Sequence, residues 1–168
     1  KYFDGERYLN TGGADGFFIL TNVSKKDNSL SLVENNKTII NNDFFSGCLE
    51  SVFLRPLIKD QTKKDKRIQI KKTDAWCLVI DANTKNKKIE KYIKWGEGQG
   101  YNQRSVTISQ KPWFKPTNQM KNGAEILLPR SFNDIFVAYY NPEKYLSLRF
   151  YRLHPKQNNS KELISYLN

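Results

Sequence analysis

Three observations predict an α+β domain of mixed, mainly antiparallel strands with a few short helices. The 168-residue chain is 38% apolar and 13% aromatic, enough to bury a core without cross-links. Most apolar runs have strand length, and only a few stretches carry a helical period. The segments joining them are basic and glycine-rich, as loops are. The length points to one domain over residues 1–168.

In order, Gly16 to Leu20 reads as a short apolar strand after the turn-forming Thr11-Gly12-Gly13. Asn22 to Asn42 is polar, with apolar pairs at Leu30, Leu32 and Ile39, Ile40, and reads as a hairpin or loop. From Asp43 the spacing predicts a helix. Phe44, Phe45, Cys48, Leu49, Val52 and Phe53 share one face, Asp43 is its N-cap, and Pro56 ends it. Trp76 to Ile80 is a buried strand. Lys85 to Trp95 reads as a helix with Ile89, Tyr92 and Ile93 inward and Gly96 at its end. Gly96 to Thr117 is mostly loop. Three strands follow, at Glu125 to Leu128, Phe136 to Tyr140 and Leu148 to Leu153. A last helix is capped near Ser160, with Leu163, Ile164 and Leu167 on one face.

The net charge of +11 predicts a polyanionic partner, because each neutralised phosphate releases condensed counterions. Between Arg55 and Lys72 lie eight basic residues and two acidic ones, so this stretch supplies +6 of the +11. Cys48 and Cys77 sit in apolar runs and read as two buried free thiols. With neither a long apolar span nor a signal peptide, the expectation is a cytoplasmic protein without a membrane partner. The chain starts at Lys1-Tyr2-Phe3 and stops at Asn168 inside an apolar-patterned segment, so both ends read as cut from a longer protein.

Enzymatic patterns are missing. His154 is the single histidine and reads as structural, and two separated cysteines do not make a zinc site. The 17 carboxylates are scattered, whereas a metal-dependent nuclease clusters them around its ions. Asp15, Asp43, Asp74 and Asp81 sit at element edges, where capping and turn roles are usual. Asn141-Pro142-Glu143-Lys144 reads as a turn. No catalytic residue and no metal ligand is assigned.

Binding residues are better represented. Asn102, Gln103 and Arg104 lie in the glycine-rich run from Trp95, and their side chains are those that pair bidentately with adenine or guanine. Lys111 and Lys115 flank Trp113, which reads as the core anchor of that loop. Arg130 follows a strand and a proline and projects from a sheet end. Lys63, Lys64, Lys66, Arg67, Lys71 and Lys72 form a basic face suited to backbone phosphates.

The order of segments resembles the target recognition domain of adenine-N6-specific DNA methyltransferases of restriction-modification systems. Thr11-Gly12-Gly13-Ala14-Asp15-Gly16-Phe17-Phe18 is similar to the entry of that domain, and Leu54-Arg55-Pro56-Leu57-Ile58-Lys59 to its leucine-arginine-proline segment. Tyr101-Asn102-Gln103-Arg104 and Lys111-Pro112-Trp113-Phe114 are similar to its arginine followed by a tryptophan-aromatic pair. Glu125 to Arg130, Phe150 to Pro155 and Leu163 to Asn168 resemble its proline-ended strand, its aromatic-to-proline strand and its closing helix. The series covers nearly the whole chain. Within that family the series resembles the fused methylases of the type IIG class and the type I specificity domains.

The resemblance implies a longer parent. An upstream domain, the N-terminal partner of this one, would bind S-adenosylmethionine, flip an adenine out of the duplex and methylate N6. The present domain would select the sequence on double-stranded DNA, with no cofactor of its own and no catalysis alone. The chain departs from the complete family in lacking the glycine-rich cofactor motif and the asparagine-proline-proline-aromatic motif. Rival expectations are a nuclease, a single-stranded nucleic-acid or RNA module stacking bases on its aromatics, and a protein-interaction module within a restriction complex.

Overall fold

The computed structural model describes residues 3–7, 9–59, 69–70, 72–131, 136–156 and 160–168. Its architecture is α+β, with mostly antiparallel strands and short helices. The residues gather into two compact units. The first draws on 1–9, 56–74 and 118–168, and the second on 10–55 and 75–117.

The first unit holds an antiparallel sheet of β1 (Phe3–Glu6), β11 (Phe150–Pro155), β8 (Ile126–Pro129) and β9 (Tyr139–Tyr140), in that order. Alternation along β8 and β11 sorts side chains to opposite faces. Ile126 and Leu153 pack with Ile164, Leu163 and Leu167 of α3 (Ser160–Leu167), whereas Leu127 and Phe150 pack with Ile58, Ile70 and Ala124. Arg152 shares the second face and is fully buried. It is tolerated there because it donates to the carbonyls of Arg7, Gln119 and Asn122 and lies 2.8 Å from the Glu6 carboxylate. Glu6 also lies 3.5 Å from His154. Asn141 anchors the expected turn: its side chain donates to the carbonyls of Ala124 and Tyr145 and accepts from Tyr145 N–H. β10 (Leu146–Ser147) runs parallel to the Leu57–Ile58 end of β6 (Leu54–Ile58).

The second unit holds an antiparallel meander of β3 (Asn22–Lys25), β4 (Leu30–Asn35) and β5 (Phe45–Glu50), and a short pair of β2 (Ile19–Leu20) with β7 (Ala75–Leu78). α2 (Lys87–Gly98) is capped by Asn86, whose side-chain oxygen accepts from the N–H groups of Lys88 and Ile89. Ile89 and Tyr92 are buried from its inner face. The Tyr92 hydroxyl donates to Phe17 O at 2.8 Å and accepts from Asn35 Nδ2 at 2.7 Å, so the buried phenol has partners. Burial pushes that phenol above its ordinary range.

Five expectations change, the simplest being that the strand expected over Phe136 to Tyr140 is only Tyr139–Tyr140. Asp43 to Phe53 is not a helix: β5 pairs with β4 from Asn35↔Phe45 to Leu30↔Glu50, and a 3-10 turn covers Ser51–Phe53. Side chains four apart share a face in both helix and strand, so the spacing cannot separate them. Phe45 and Leu49 go inward, while Phe44 is 61% and Val52 71% exposed. Pro56 sits within β6 and ends no helix, and Asp43 caps none. Gly16 to Leu20 is split into a helical turn, α1 (Asp15–Phe18), closed by the N–H groups of Phe17 and Phe18 on Ala14 O, and β2. Of the two thiols only Cys77 is buried; Cys48 is half-buried. Finally, α2 runs past Gly96, which packs against the Phe17 ring.

Candidate nucleic-acid interface

The second unit builds the most developed candidate site, and its root is aromatic. Phe17 of α1 lies 4.6 Å, centroid to centroid, from Trp113, 4.9 Å from Tyr92 and 6.0 Å from Tyr101. Trp113 Nε1 donates to Glu97 of α2 at 3.0 Å. The anchoring role expected for Trp113 is met, and Lys111 and Lys115 on either side are exposed.

The turn Thr11–Gly16 is the floor of the segment from Tyr101 to Thr107. Gly12 has a φ of 68°, a left-handed backbone that favours glycine, and a Cβ there would stand 2.8 Å from Val106. A Cβ on Gly16 would stand 1.9 Å from the Tyr101 hydroxyl oxygen. The Tyr101 hydroxyl donates to Lys37 O at 2.6 Å, and Thr107 Oγ1 donates to Tyr101 O at 2.7 Å. Gln99 ties in a second loop: its side-chain oxygen accepts from Ile39 N–H at 2.8 Å and its amide donates to Asn41. Trp95 Nε1 adds a bond to Asp43 O at 2.8 Å.

From this rigid base the 3-10 turn Tyr101–Gln103 presents its side chains. Gln103 is exposed and Arg104 half-exposed. Asn102 is half-buried, and its Oδ1 is enclosed without a hydrogen-bond partner among the described residues. It must turn outward to read a base, whereas Gln103 need not. Five predicted residues, Asn102, Gln103, Arg104, Lys111 and Lys115, therefore sit on two loops rooted in one aromatic cluster. Sequence reasoning missed Tyr101, Gln99 and Gly16 as the residues that seat them. The glycines of the Thr11–Gly16 run were the available signal.

The remaining predicted residues fall elsewhere. Lys72 and Arg130 belong to the first unit and are exposed, Arg130 at the end of β8 with its N–H on Arg149 O at 3.3 Å. Lys63, Lys64, Lys66, Arg67 and Lys71 lie outside the described residues. Among the described residues, no three His, Cys, Asp or Glu side chains are placed to hold a metal ion. No helix there is long and apolar enough to cross a membrane. Glu125 is held below the usual carboxylate range first by Lys144, at 2.8 Å, and then by Ser160.

The chain matches no protein-family model, no curated protein and no solved structure.

Proposed function

We propose that this chain is the sequence-recognition domain of an adenine-N6 DNA methyltransferase, binding duplex DNA while a separate domain, with S-adenosylmethionine, methylates the base. The observation that carries the reading is the seating of Gln103 and Arg104. Both emerge from a turn pinned by buried aromatics and backbone bonds, and reading a base edge requires side chains held in register. The charge of +11 and the ordered motif series support the same partner. The single-strand or RNA rival has less support at this site, because the aromatics beside Gln103 and Arg104, namely Phe17, Tyr92, Tyr101 and Trp113, are committed to the core.

Selection from a randomised duplex pool tests the reading, with salt titration and sequencing of the retained DNA. One enriched short motif is expected. Arg104→Ala and Gln103→Ala should each cost about 1–3 kcal/mol on that motif and relax preference at one position. Their binding to random duplex should hardly change. Salt-sensitive retention with no enriched motif refutes sequence recognition.

A further inference from the structure

We propose that the solvent face of α2 is a second DNA-contacting surface, on which Lys87, Lys91 and Lys94 neutralise successive phosphates of one strand. The inference rests on the reading above that the partner is duplex DNA.

Helical geometry puts these lysines together. At about 100° per residue they fall within about 60° of one another. They lie opposite the stripe of Ile89, Tyr92 and Gly96 that faces the core. All three are exposed, and none forms an ion pair among the described residues. Glu90, three residues after Lys87 and four before Lys94, and Glu97, three after Lys94, flank the row, so the two outer lysines have helix carboxylates beside them and Lys91 has none.

Around Lys91 the helix gains nothing from this arrangement. Lys87 and Lys91 are four apart, and Lys91 and Lys94 three apart. Like-charge pairs at these spacings destabilise an isolated helix. Lys87 and Lys88 also occupy the first turn, where the helix dipole disfavours cations. Lys91, with three lysines and no carboxylate at helix-neighbour spacing, calls for an anion outside the helix. From Lys87 to Lys94 the helix rises about 10 Å. Phosphates of one strand recur about every 3.4 Å along the duplex axis, so the row spans about three of them.

The test is fluorescence anisotropy of the whole chain on the selected duplex and on a random duplex, from 50 to about 200 mM salt. The triple variant Lys87→Gln/Lys91→Gln/Lys94→Gln should lower the slope of log K against log salt by about 2.7, at about 0.9 per phosphate. Affinity should fall equally on both duplexes. The triple Lys→Arg variant should keep the slope. A fall below two with Gln, a loss confined to one sequence, or an equal loss with Arg overturns the proposal while leaving DNA recognition standing. A wild-type chain that does not bind duplex DNA overturns both.

Discussion

Gly16→Ala is the sharpest probe of how the candidate site is built. The added Cβ would stand 1.9 Å from Tyr101 Oη and 2.8 Å from Cζ. Ordinary contact begins at 3.4 Å, so the phenol must retreat by roughly 1.5 Å. It has little room: Tyr101 is 3% exposed, it lies 6.0 Å from both Phe17 and Trp95, and its hydroxyl donates to Lys37 O at 2.6 Å. Overpacking of this kind costs about 1–3 kcal/mol. The lost hydrogen bond adds about 0.5–1.5 kcal/mol. Alanine returns up to about 1 kcal/mol, because Gly16 lies in a helical turn. The net destabilisation is about 2 kcal/mol, a fall in Tm of roughly 4–8 °C at this chain length. Thermal unfolding followed by circular dichroism measures it. Tyr101→Phe in the Gly16→Ala background should recover part of the loss, since the atom at 1.9 Å is removed while Cζ remains at 2.8 Å. An unchanged or raised Tm in Gly16→Ala, as helix propensity alone would give, refutes the close seating of Tyr101 on Gly16.

Two further predictions concern the core. Asn141 is fully buried and serves two carbonyls and one N–H, so Asn141→Ala should cost about 2–4 kcal/mol, seen as a lower urea midpoint; a midpoint within error of wild type would mean water replaces all three bonds. Burial pushes the Cys77 thiol from its ordinary 9.0 up to about 12. The native state therefore keeps a proton that the unfolded chain releases, and this contribution to stability is complete below pH 9 and lost as pH rises towards 12. Cys77→Ala should flatten the fall of Tm across that window, and identical alkaline profiles for the two proteins would refute it.

Much of the fold was legible because its signals are local. Ile89, Tyr92 and Ile93 announce α2, and the hairpin read over Asn22 to Asn42 contains the pairing of β3 with β4. Leu163, Ile164 and Leu167 announce α3. What failed depended on distant partners. Phe45 and Leu49 are compatible with either period, and only the pairing with β4 decides for a strand. Gly96 looks like a helix end until the Phe17 ring, 79 positions away in sequence, takes the space beside it. The chemistry of the candidate site was legible in Gln103, Arg104, Lys111 and Lys115. Its seating was not, because the contact between Gly16 and Tyr101 joins segments that no short-range pattern connects.

That seating bears on how recognition would work. Phosphate contacts fix register only if they are mechanically coupled to the groups that read bases. In the second unit the coupling runs through one element. The inner face of α2 holds Phe17 through Tyr92 and Gly96, its Glu97 holds Trp113, and Gln99 just past its end holds the Ile39–Asp43 loop. Its outer face carries the lysine row, and its exit leads within three residues of Gly98 to Tyr101. A shift of the backbone under Lys87, Lys91 and Lys94 would thus move the whole helix and, with it, Gln103 and Arg104. On the proposed reading, specificity depends as much on the buried bonds of Tyr92, Trp113 and Tyr101 as on the side chains that meet the bases.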